Sequence, residues 1–138
     1  MTSQLNVDTI VDKAGSGGTN VKIGNTSTYV SEGGAVTQNT VQGLCKAFCT
    51  FAQSSSHTIN DSFNISGLSD DGAGETTVSY TNVFSVAKHP ITGTSNWNGV
   101  FTHDTYTTAS NLIRGRGANS TSLQDRGTMT MLCGGDLA

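Results

Sequence analysis

The chain has 138 residues, enough for one domain with an extension. Charged residues make up 12% of it, about half the roughly 25% usual for soluble domains, and Ser, Thr, Asn and Gly fill the difference. A net charge of −3 is too small to mark a self-repelling disordered chain and has the wrong sign for a nucleic-acid footprint, which needs a basic patch.

Thr, Val, Ile, Phe and Tyr recur with alternation, and 17 glycines beside a single proline fit many turns and few helices. The expected class is therefore all-β and antiparallel. No apolar run approaches the roughly 18 residues of a membrane span. The opening MTSQLNVDTIVDK has no basic stretch followed by an apolar one, so no secretory signal is expected and the chain is expected to be made in a cytosol.

In chain order, residues 4–11 alternate Leu5, Val7, Thr9 and Val11 against Asn6, Asp8 and Ile10, as a short strand does. The Gly-rich run 15–18 breaks it, a second strand is expected over 20–24, and a third over 25–30. Each piece is too short and polar to bury a core alone. The segment is either a loose leader or one that orders against identical chains or a docking partner. Residues 35–44, AVTQNTVQGL, fit a short helix or an extended linker equally well.

From Gly43 to Phe84 the pattern sharpens, and this stretch is the expected core. Cys45, Ala47, Cys49 and Phe51 share one face of a first strand, with Leu44, Lys46, Phe48 and Thr50 opposite. A second strand over 62–66 sets Phe63 and Ile65 on one side, and a third places Thr76, Val78 and Tyr80 together. Between them, Ser69-Asp70-Asp71-Gly72-Ala73-Gly74 contains an Asp-Gly step, a strong hairpin signal.

Beyond it, Pro90 pushes His89 out of the helical region, so 83–92 reads as a loop or strand end. Strands are expected over 95–102, displaying Trp97, and over 106–113. Residues 114–126, RGRGANSTSLQDR, have almost no apolar members and read as an exposed loop. The last strand, 127–133, puts Met129, Met131 and Cys133 on a buried face.

Three cysteines, an odd number, make no closed disulfide framework. On a strand the Cα atoms of Cys45 and Cys49 would stand about 13 Å apart, beyond bridging range, so both are expected as packed core thiols. Cys45-x3-Cys49 with His57 is not a zinc-knuckle spacing, and no second ligand pair follows. A Cys–His nucleophile pair using His57, His89 or His103 has no motif behind it.

Asp70 and Asp71 belong to turn chemistry. Glycan hydrolysis would need paired carboxylates in a cleft, for which Asp61, Glu75, Asp104 and Asp125 are the available donors. No glycine-rich run is a dinucleotide fingerprint or a P-loop, and no cofactor is expected. Trp97, Phe101 and Tyr106 lie in Asn/Thr-rich sequence and are either a sugar- or protein-binding surface or the second half of the core.

These pieces resemble the short tail-fibre and fibre-tip proteins of bacteriophages, especially phages of cyanobacteria and marine bacteria. The residues that carry the likeness are Leu5-Asn6-Val7-Asp8-Thr9-Ile10, residues 37–44 (TQNTVQGL), Lys46-Ala47-Phe48 with Phe51, Asp61 to Ser66, the Asp-Gly hairpin leading into Thr77-Val78-Ser79-Tyr80, and the closing Gly135-Asp136-Leu137-Ala138. They cover about half the chain. Cys45 and Cys49 stand where the family has an aromatic-polar strand, and 86–127 matches nothing in it.

The resemblance implies a non-enzymatic virion component, assembled in the host cytoplasm: an extended attachment segment (1–42) before an antiparallel β-sandwich-like head (43–138), forming a homotrimer. Leu5, Val7 and Ile10 would then contact other virion proteins. Independently of the likeness, Trp97, His103, Tyr106, Arg114 and Arg116, as loop and strand-end groups expected to be exposed, are the residues expected to meet a glycan or protein of the host surface, with no nucleic-acid contact and no membrane insertion. The alternative within the same likeness is a capsid-decorating fibre or a neck or baseplate connector without a host-binding role.

Overall fold

The computed structural model describes residues 28–30, 37–39, 44–54, 56–96 and 98–138. The strands expected over 4–11 and 20–24, with Leu5, Val7 and Ile10, lie outside the described residues, as does Trp97. The chain divides between Val41 and Gln42. In the first part, β1 (Thr28–Val30) and β2 (Thr37–Asn39) pair antiparallel, Thr28 opposite Asn39 and Val30 opposite Thr37. Residues 37–39 are thus strand and not helix, because their backbone groups find partners across the pair rather than along the chain.

The second part is all-β, with no helix among the described residues. Its strands are β3 (Ala47–Ala52), β4 (Thr58–Phe63), β5 (Ile65–Gly72), β6 (Glu75–Tyr80), β7 (Ile91–Ser95), β8 (Gly99–Tyr106), β9 (Ser110–Gly117) and β10 (Met129–Cys133). They form two antiparallel four-stranded sheets, ordered β4-β3-β10-β7 and β5-β6-β9-β8. Hairpins join β3 to β4, β5 to β6 and β8 to β9; every other connection passes from one sheet to the other.

Period-two patterning decides which side chains face inward. From the first sheet come Ala47, Cys49, Phe51, Met129, Met131 and Cys133, all fully buried; from the second come Val78, Tyr80 and Ile113. Phe84 joins them, and Ile65, Leu68, Ile91 and Phe101 pack against the cluster. The two sheets therefore share one core. The register sets Phe51 opposite Met129, Cys49 opposite Met131 and Ala47 opposite Cys133, so bulk decreases along the inner face from the Phe51 end to the Ala47 end.

Several sequence expectations need correction. Cys45 is exposed and precedes β3, so only Cys49 of that pair is a core thiol. Residues 62–66 are not one strand but the end of β4 and the start of β5, joined by a corner at Asn64. Asn64 takes φ 59°, a left-handed conformation that Asn tolerates, and the chain leaves one sheet for the other there. Its side chain donates to Lys46 O (3.1 Å) and Asn82 O (3.0 Å) and accepts from Asn82 N (2.7 Å). The turn reverses the alternation, so Phe63 is 53% exposed while Ile65 packs on the core.

The expected strand over 95–102 is interrupted by turn chemistry: Asn98 has φ 50°, and Gly99 N donates to Asn96 O at 3.2 Å. The one expected over 106–113 is likewise broken, because the Thr107 hydroxyl caps the turn by accepting from Ala109 N and Ser110 N at 3.1 and 2.8 Å. Arg114–Gly117 belong to β9 and not to a loop. The inward position there is Gly115, which leaves no apolar signal to read.

Candidate functional site

Two regions of the second part gather chemistry. The first is a buried polar cluster where β6, β9 and β10 meet residues 84–89. Alternation turns Tyr80, Asn111 and Cys133 inward, and the loop before Pro90 delivers His89 onto them. All four are nearly inaccessible: Tyr80 is 5% exposed, His89 4%, Asn111 1% and Cys133 0%.

The His89 ring stacks on Phe84, centroids 3.7 Å apart and nearly parallel. With its proton on Nδ1 it donates to Val86 O at 3.3 Å, leaving Nε2 to accept from Asn111 Nδ2 at 3.0 Å and to face the Tyr80 hydroxyl at 3.0 Å. Asn111 Nδ2 also donates to the Tyr80 hydroxyl, which lies 3.4 Å from Cys133 Sγ.

Burial pushes the His89 pKa below its usual value against the opposing backbone hydrogen bonds, favouring the neutral ring that this arrangement uses. Burial likewise raises Tyr80 and drives Cys133 up to about 11. The cluster joins Cys133 to His89 only through the Tyr80 hydroxyl, not as a direct Cys–His pair. Its thiol stays protonated at neutral pH, which suits a core hydrogen-bond network rather than a nucleophile.

Beside this cluster the sheets part. An open cleft of about 450 Å³ is lined by Lys88, His89, Pro90, Ile91, His103 and Tyr106. A register shift between His103 and Tyr106 brings both rings to the inner side of β8, where they meet edge to face with centroids 4.8 Å apart. His103 Nδ1 is buried and has no hydrogen-bond partner. Lys88 is exposed and makes no ion pair among the described residues.

The arginines lie elsewhere. Arg114 projects from the opposite face of the same sheet, with Nε donating to Glu75 Oε1 at 2.7 Å and Nη1 reaching Asp104 Oδ2 at 2.6 Å. The Glu75 hydrogen bond is the main cause that raises its pKa. Glu75 and Asp104 therefore share one guanidinium and do not form a free carboxylate pair. Arg116 is opposite Val100 on that face. Asp125 is occupied as well, accepting from Gly74 N at 2.6 Å, and Asp70 accepts from Gly72 N at 3.0 Å as turn chemistry expects.

Of the five residues expected at a host-facing surface, the fold thus brings together His103 and Tyr106, sends Arg114 and Arg116 to the other face, and leaves Trp97 outside the described residues. Phe101 packs on the core. Sequence reasoning missed Lys88, Pro90 and Ile91; the proline alone marked the place. No protein-family model matches the chain, and no curated protein or solved structure is significantly similar to it.

Proposed function

We propose that this chain is a structural virion fibre protein of a bacteriophage: a homotrimer whose two-sheet part is a β-sandwich-like head, whose residues 1–42 attach to other virion proteins, and which serves host-surface attachment rather than catalysis. The shared core of the two sheets supports the sandwich reading, and the likeness to phage fibre proteins supports the setting.

The observation that carries self-assembly is the outer face of β4-β3-β10. There Phe63 (53% exposed) stacks on Phe48 with centroids 6.2 Å apart, and Leu132 (47% exposed) lies opposite Phe48 in the ladder. Leu44, just before β3, is 57% exposed. The register adds Thr50, Thr92, Thr94 and Thr130 to this face; its charges are Asp61 in β4 and, just before β3, Lys46, which is 7% exposed. An apolar, nearly uncharged sheet face on a chain that is only 34% hydrophobic fits burial against copies of itself.

Light scattering of the full chain over a dilution series tests this. The expected mass is three times 14.3 kDa, and the double variant Phe63→Lys, Leu132→Lys lowers it to the monomer with an unchanged circular dichroism spectrum. A wild-type monomer at every concentration overturns the trimer. Antibody labelling at the tail tip of particles supports the adhesin role, whereas labelling confined to capsid or neck assigns the chain to a connector.

A further inference from the structure

The geometry points to the cleft between Lys88 and Tyr106 as a binding site for a carboxylated sugar, a uronic-acid unit of a surface glycan. This deepens the attachment reading and rests on it. At about 450 Å³ the cleft lies within the roughly 300–1,000 Å³ range of small-molecule sites. Its lining is mixed in the way a sugar acid requires. Pro90 and Ile91 offer apolar surface, Tyr106 a ring and a hydroxyl, and His103 an imidazole edge-on to that ring.

Lys88 supplies charge. The chain carries −3 overall, yet Asp104, next to His103 in β8, is exposed and paired with Arg114, and no carboxylate pairs with Lys88 among the described residues. The cation at the cleft is left unopposed among the described residues. A single ammonium beside hydrogen-bonding rings matches a monoanionic carboxylate on a polar ring better than a phosphate dianion, which calls for several cations or a run of backbone N–H groups. The rings themselves are held in place, His103 by Tyr106 and His89 by Phe84 and Asn111, so the site is formed before a ligand arrives.

The test is ligand-observed NMR and calorimetry on the full chain with three probes: a glucuronic-acid-terminated disaccharide, its glucose-terminated counterpart, and acetate. The acidic sugar is expected to bind at least tenfold more tightly than the neutral one, and Lys88→Gln to remove that difference while leaving the thermal midpoint and oligomeric mass unchanged. His103→Phe is expected to weaken the acidic sugar as well.

Equal binding of both sugars, an acidic preference that survives Lys88→Gln, or acetate binding as tightly as the disaccharide would each overturn the assignment. A trimer that binds no sugar loses the cleft and keeps the fibre reading. A monomer that binds the uronate keeps the cleft and loses the fibre.

Discussion

His89 is where burial and hydrogen bonding set a measurable pH response. Its pKa lies below the ordinary 6.5, so the unfolded chain takes up the proton before the folded one does. Its contribution to stability is fully present above about pH 6.5 and is lost as pH falls towards the folded-state value. Thermal midpoints should be level from pH 8 to 7 and decline below 6.5; His89→Gln should flatten part of that decline. An unchanged slope would show that the ring is not held neutral.

The thiols make a second residue-scale case. Cys49 and Cys133 are raised to about 11, chiefly by burial, while Cys45 is exposed. Native protein treated with iodoacetamide should be labelled at Cys45, and at the other two only after unfolding. At the corner, Asn64→Gly keeps the left-handed backbone and Asn64→Ala does not, so alanine should be the more damaging by about 1 kcal/mol in chemical denaturation.

At the scale of elements, the β5–β6 hairpin is locked to the loop that follows β9. Gly74 has φ +71° and donates its N–H to Asp125, while its carbonyl accepts from Gly115 N at 2.8 Å. A side chain at 74 would collide with the backbone of Gln124 and with Gly115 O. Close by, Gln53, fully buried at the end of β3, donates to Thr76 Oγ1 at 3.1 Å and accepts from Arg126 N at 3.2 Å. One end of the head is thus closed by polar bonds between segments remote in sequence. Gly74→Ala should cost roughly 3 kcal/mol, combining backbone strain with a backbone clash, and Asp125→Ala about 1 kcal/mol. Equal stability of Gly74→Ala and wild type in urea would mean that the loop does not pack there.

At the scale of the molecule, the inner faces and the outer face of the first sheet answer different questions. Phe51→Ala empties the middle of the shared core and should cost about 3–5 kcal/mol, with both sheets lost in one transition. Phe63→Lys should leave the unfolding midpoint of an isolated head nearly unchanged, since the ring is half exposed, yet it should lower the assembled mass. Three heads on one fibre would also raise the apparent affinity of a weak sugar cleft without a new contact. Cleft variants should therefore lose more on a dense glycan surface than in solution with a single disaccharide.

Alternation was enough to read the strands whose inward residues are apolar. Ala47-Cys49-Phe51, Thr76-Val78-Tyr80 and Met129-Met131-Cys133 are all buried as their spacing requires, and the Asp-Gly signal marks a real hairpin, with the turn itself at Ala73-Gly74. Where the inward positions are Gly115 or Asn111, the period carries no apolar signal, and β9 was legible only in part. The cleft was hidden for a different reason. Lys88 and His103 are separated along the chain and meet only because β7 and β8 lie in different sheets, while Arg114, near His103 in the ladder, points away from it. Local chemistry wrote the strands and turns; which rings and charges share a surface was decided by the crossings between the sheets.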